Sequence, residues 1–140
     1  MTQNVYVTVS GKQYIDKESA EEIVNKAQGQ YTKRDGMQFV TFEIEVDEEG
    51  TKQKCMLKFN NENLELTQKG ALNTKFLYIK GTKTLSDYNT PYGIFKMGIF
   101  TKEYTFQEKE GKIKLHVLYD MEFSGEYTAE NETNIEIEFT

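Results

Sequence analysis

The sequence predicts an all-β fold, an antiparallel meander of about 8–10 strands closed into a barrel. Three observations predict it. Turn-forming pairs recur at short, even intervals: Asp35-Gly36, Glu49-Gly50, Asn60-Asn61, Lys69-Gly70, Lys80-Gly81, Glu110-Gly111 and Ser124-Gly125. Each supplies a residue that tolerates positive φ, as tight hairpins require. The stretches between them are rich in Val, Ile, Thr, Tyr and Phe, which suit a pleated, half-buried surface. Within them, apolar and polar residues alternate with period two, giving one buried and one wet face.

The elements follow in order. A first strand is read over 4–14, with Gly11 expected to bulge it. The next segment, 19–28, is ambiguous. Ser19-Ala20-Glu21-Glu22 resembles a capping box, and Ala20, Ile23, Val24 and Ala27 have helical spacing, so local rules leave helix and strand open. The strand over 37–46 sets Val40, Phe42, Ile44 and Val46 against Thr41, Glu43 and Glu45. Over 51–59, Cys55, Leu57 and Phe59 alternate with Lys54 and Lys58. Strands at 62–68 and 74–80 follow, then a long one at 92–108 expected to bend near Gly98; residues 81–91 are read as a connection. The clearest alternation lies in 112–123, where Ile113, Leu115, Val117, Tyr119, Met121 and Phe123 share a face and Leu118 breaks the pattern. A last strand spans 127–139. One buried face over so many consecutive strands favours a sheet that closes on itself and removes its edges.

At 140 residues, the chain suits one barrel domain over 1–140 and can bury roughly 68–70% of its unfolded surface without disulfides. Nine Tyr and nine Phe are more than disordered chains carry. The formal charge is −6 with a single Arg, Arg34, which argues against nucleic acid and anionic lipid. No apolar run of about 18 residues offers a membrane span. The N-terminus lacks the pattern of a secretory signal, so the expected location is the cytoplasm. One Cys and one His give neither an internal disulfide nor a multi-His metal site, and no cofactor is expected.

Catalysis would need carboxylates or His in a sheltered lumen. Alternation instead turns Glu43, Glu45, Asp120, Glu122, Glu136 and Glu138 outward, with His116 on the wet face beside Lys112 and Lys114. Cys55 shares the apolar face and reads as structural. Asp47-Glu48-Glu49 lacks calcium-loop spacing and reads as a solvated hairpin tip. The best basic–aromatic group, Lys96, Lys102 and Tyr104, reads as an outer strand face rather than a base-stacking platform. The predicted lumen remains: Tyr31, Gln68, Tyr78, Thr101 and Tyr119 fall on inward positions among Phe42, Leu57, Leu66, Phe76, Phe95 and Met97. Such polar groups pair with each other in a filled core or with a guest. Gln68 and Thr101 are the expected partners of the Tyr119 hydroxyl.

Tyr88-Asn89-Thr90-Pro91-Tyr92-Gly93 followed by Thr101, with Ser10-Gly11-Lys12-Gln13, Leu66-Thr67-Gln68-Lys69-Gly70-Ala71 and the Gly111…Tyr119 segment, resembles the YwiB-like family of uncharacterised bacterial proteins. The resemblance runs in order along nearly the whole chain. It implies a calycin-type, lipocalin-like barrel with no assigned activity, and it tips 19–28 towards strand, read over 22–33. Two positions depart from the family's pattern: Gln68 stands where an Arg is common, and Ile44 at or beside an acidic residue. If both point inward, an amide and an apolar group replace a charged pair. The resulting expectation is a non-enzymatic barrel binding a small apolar or amphipathic molecule in its lumen. The rivals are a filled-core scaffold that meets a protein partner and, behind it, an enzyme with a lumenal site.

Overall fold

The computed structural model describes residues 2–15, 18–19, 22–45, 48–70, 73–90 and 92–140. Ala20 and Glu21 of the capping-box pattern, Val46, Asp47 of the acidic tip, Ala71 and Pro91 lie outside the described residues. The described chain forms eleven strands and no helix: β1 (Gln3–Ile15), β2 (Glu18–Ser19), β3 (Ile23–Arg34), β4 (Met37–Glu45), β5 (Lys52–Phe59), β6 (Asn63–Gly70), β7 (Thr74–Ile79), β8 (Lys83–Thr90), β9 (Gly93–Lys109), β10 (Lys112–Phe123) and β11 (Glu126–Phe139). No helix among the described residues is long and apolar enough to cross a membrane.

All pairings are antiparallel, in the order β7-β6-β5-β4-β3-β1-β11-β10-β9-β8, with β2 appended to β1. The terminal strands β1 and β11 therefore lie side by side, from Val5↔Phe139 to Tyr14↔Glu130. The ends of the path, β7 and β8, fall in mid-chain on either side of the Lys80-Gly81 turn. They meet through side chains. Thr84 Oγ1 donates to the Leu77 carbonyl at 2.7 Å, and the Ser86 hydroxyl donates to the Lys75 carbonyl. The turn itself docks onto β9, with the Gly81 amide 2.8 Å from the Thr101 carbonyl. The barrel is thus nearly closed, with a seam bridged by hydroxyls.

Several expectations change. The ambiguous segment is strand from Ile23, because β1 offers a ladder running from Gln3↔Tyr31 to Gly11↔Ile23; an added sheet edge outweighs local helical spacing. β8 is a strand where a connection was expected. Its turn-type composition is overridden by eight ladder pairs with β9, Lys83↔Phe100 to Thr90↔Gly93. Gly11 does not bulge β1, which pairs without a break on both sides. The irregularity in β9 falls at Lys102, between the pairs Leu118↔Glu103 and Tyr119↔Thr101, rather than at Gly98. Gly98 instead makes room for an ion pair. Lys83 of β8 and Glu122 of β10 meet at 2.5 Å, and a Cβ at Gly98 would sit 3.1 Å from both side chains.

The inward residues form one core. Val5, Val7, Val40, Leu57, Phe59, Ile99, Ile113, Leu115, Val117 and Ile137 are each at most 1% exposed. Full burial of such side chains stabilises by about 1.5–3 kcal/mol each. The end bearing the Asp35-Gly36, Asn60-Asn61 and Glu110-Gly111 turns is plugged. Tyr31 meets Phe139 edge-on at 4.8 Å and donates to Gln38 Oε1 at 2.8 Å. Phe59 packs on Phe106 at 6.1 Å, and Tyr104 donates to the Asn60 carbonyl at 2.7 Å.

Candidate functional site

Towards the opposite end the lumen is hollow. A cavity of about 250 Å³ is lined by Val9, Gly11, Ile23, Asn25, Leu64, Leu66, Gln68, Phe76, Tyr78, Val117, Tyr119, Thr133 and Ile135. Period-two alternation aims these side chains inward, and strand pairing puts them in rows: Gly11 lies between Ile23 and Thr133, and Val9 between Asn25 and Ile135. Ile23 is 67% exposed and so marks the mouth. The lining mixes apolar walls with two amides, two phenols and a hydroxyl, and among the described residues it contains no Asp, Glu, Lys, Arg or His.

Gln68 stands on the wall opposite Thr74, whose Oγ1 donates to Gln68 Oε1 at 2.9 Å. Its neighbour in the next strand is Cys55, 5% exposed. Burial pushes the Cys55 thiol above its ordinary value, and the Gln68 amide partly offsets this. Tyr78 and Tyr119 meet edge-on with ring centroids 5.0 Å apart. Burial, and then the neighbouring Tyr119, hold the Tyr78 phenol well above the usual range, so it stays neutral and able to donate.

Gln68, Tyr78 and Tyr119 therefore line one cavity. The other two candidates do not. Tyr31 belongs to the plug at the far end. Thr101 is fully buried beside Tyr119 in the β9–β10 ladder, yet its Oγ1 has no hydrogen-bond partner among the described residues. The expected Tyr119–Thr101 hydroxyl pair is not formed; Tyr119 leans on Tyr78 of β7 instead. Asn25 and Thr133 complete the polar lining and were missed by sequence reasoning. Their inward phase was legible from Ile23 and Ile135, but their polarity argued against an inward position. Ile44 packs against the core and Gln68 points into the lumen, so both positions that depart from the family's pattern face inward.

The outer face disperses the remaining candidates. His116 meets Glu132 at 3.0 Å, and Glu132 also accepts from Tyr14. Lys96 pairs with Asp87 at 2.5 Å, Lys102 with Asp120 and Glu130, while Tyr104 points into the plug. No cluster of three or more His, Cys, Asp or Glu suited to a metal occurs among the described residues. Larger outer hollows, of about 610 Å³ beside Thr41 and Met56 and 440 Å³ beside Thr105 and His116, are more open and lined mainly by solvent-facing side chains.

A nearly closed antiparallel barrel, plugged at one end and hollow at the other, is consistent with the calycin class of small meander barrels. The chain belongs to the family described as Domain of unknown function (DUF1934), whose model matches residues 7–135. Its fold is similar to the crystal structure of the ywiB protein from Bacillus subtilis, with a TM-score of 0.85 at 19% identity, over 99% of this chain and 93% of that one. No curated protein matches the chain. The family and the fold together bear out the YwiB-like resemblance.

Proposed function

We propose that this protein is a non-enzymatic carrier or sensor that holds a small apolar or amphipathic molecule in the hollow half of its barrel. The observation that carries this reading is the 250 Å³ cavity with apolar walls, a few polar groups and a mouth at Ile23. Ligand pockets in proteins have this make-up, apolar with a small number of placed polar groups. At about 30 Å³ per water the space holds roughly eight waters, which suits a small guest. A lining without carboxylate, His or Lys among the described residues lacks the commonest general acids and bases, which supports binding over catalysis.

Native mass spectrometry of freshly purified protein tests the reading. The expected spectrum shows a fraction of the protein with a small neutral adduct that collisional activation releases. Bare protein alone, together with no displaceable binding of an apolar fluorescent dye, would overturn it. The protein-partner alternative draws on a different feature, the exposed Leu85, Ile94 and Phe100 on the outer face of β8 and β9 (69%, 68% and 40% exposed). The same spectra decide it, since a partner or second copy appears as a mass step of protein size.

A further inference from the structure

Exposed apolar side chains gather on the outer face of the β8–β9 hairpin, at Leu85, Ile94 and Phe100. Residues directly opposite in an antiparallel ladder point to the same side. The register Lys83↔Phe100, Leu85↔Gly98 and Asp87↔Lys96 therefore sets these six on one face, with Ile94 following two positions from Lys96. Each rung joins unlike members. Leu85 stands beside Gly98, which has no side chain, and a hollow of about 440 Å³ opens there, framed by Leu85, Ile94, Lys96, Gly98 and Glu122. Asp87 meets Lys96 at 2.5 Å, and Lys83 meets Glu122 of β10 at 2.5 Å. The face thus holds a knob next to a hole, and two lysines against two carboxylates, on a chain whose formal charge is −6.

We infer that this face joins two copies of the chain about a two-fold axis that runs between β8 and β9, parallel to the strands. Such an axis lays β8 of one copy over β9 of the other. Each residue then meets the copy of its own ladder partner: Leu85 enters the hollow beside Gly98 of the second copy, and Asp87 faces that copy's Lys96. An interface of this symmetry needs a surface that complements itself, and the ladder supplies one rung by rung. Sheets packed face to face keep their strand directions within about 30°, so the central rungs stay matched. Local neutrality also matters, because two chains of charge −6 repel one another elsewhere. A foreign partner finds no excess of either sign among these residues to steer it, whereas a second copy answers them in shape and in charge. β8 is eight residues long, which makes the face about 26 Å long and small among specific interfaces, so the dimer forms at micromolar concentration and above. The inference is independent of the lumenal reading.

Sedimentation velocity of the intact protein, from about 2 to about 200 μM, tests it. The expected result is a reversible monomer–dimer equilibrium with no larger species. Leu85→Asp should weaken association about tenfold or more, because it sets a carboxylate against the apolar hollow. Ile94→Lys provides the same comparison should Leu85→Asp fold poorly. Asp87→Lys should weaken the dimer too, since it sets lysine against lysine across the axis. Adding Lys96→Asp to it restores opposite charges there and should return most of the lost affinity. A monomer at every concentration, growth beyond the dimer, or a dimer indifferent to Leu85→Asp and Asp87→Lys overturns the inference. So does a doubly exchanged variant that associates no better than Asp87→Lys alone.

Discussion

Thr84 of β8 donates its hydroxyl to the carbonyl of Leu77 in β7 at 2.7 Å, bridging the two strands at which the backbone-paired path of the barrel ends. Ser86 repeats the contact two residues on, with Lys75. In an extended strand a residue's N–H and C=O point to the same side, so the Lys75 and Leu77 amides face this seam as well. The amides of Lys75 and Leu77 should consequently exchange with deuterium far faster than those of Val40 and Leu57 in the central ladders. Thr84→Val should speed them further and lower stability by about 0.5–1.5 kcal/mol. Equal protection of β7 and β5 in hydrogen-exchange mass spectrometry would mean that the seam is as firmly held as the ladders.

Tyr119 is 7% exposed, and its ring packs on Tyr78 while its edge borders the cavity. Tyr119→Ala should cost about 3–5 kcal/mol through lost packing. Tyr119→Phe should cost less than about 1 kcal/mol, because the hydroxyl borders space that water can enter. Denaturant midpoints of both variants beside the parent check this. A cost for the Phe variant near that of a broken core network would place the hydroxyl in a filled interior.

Thr101 predicts in the opposite direction. Its hydroxyl is fully buried without a partner among the described residues, so the folded state carries its desolvation without a compensating bond. Thr101→Val keeps the shape and should leave stability unchanged or raise it by up to about 1 kcal/mol. A clear fall in the urea midpoint would reveal a partner for Oγ1.

Gly29 tolerates no side chain. A Cβ there would lie 2.6 Å from the Thr41 carbonyl oxygen, 3.2 Å from Phe42 Cβ and 3.3 Å from Val7 Cγ2. The first of these is backbone of the paired strand β4, which moves only with its ladder. Gly29→Ala should destabilise by about 1–3 kcal/mol, and a thermal melt equal to the parent's would contradict that geometry.

Alkaline pH should weaken the fold. Burial raises the phenols of Tyr31, Tyr78 and Tyr104 above their ordinary value. A tyrosine whose folded pKa is raised contributes stability that is complete below the unfolded pKa, about 10, and is lost as pH rises through the folded value. Urea midpoints should hold level to about pH 9 and then fall, with phenolate absorbance appearing together with unfolding. Phenolate absorbance from every tyrosine in the folded protein near pH 10 would show these rings to be accessible.

Sequence alone determined the barrel's grammar. Period-two alternation in β10 set Ile113 to Tyr119 on the inner face, and the Asp35-Gly36 and Glu110-Gly111 turns, with positive φ at all four residues, set hairpins on either side. These are local properties, since alternation follows from strand geometry and turns from backbone sterics. The same phase correctly put Gln68, Tyr78 and Tyr119 inside and His116 outside. Other features depended on distant segments. β8 is a strand because β9 lies beside it, and Ile23 to Ala27 are strand because β1 offers a ladder. Alternation fixes which face a residue takes but not its height along the barrel. Tyr31 and Tyr119 share the inner face, yet one seals the plug and the other borders the cavity. That height is set by the stagger of strands around the closed sheet, a relation among all of them that no local pattern encodes.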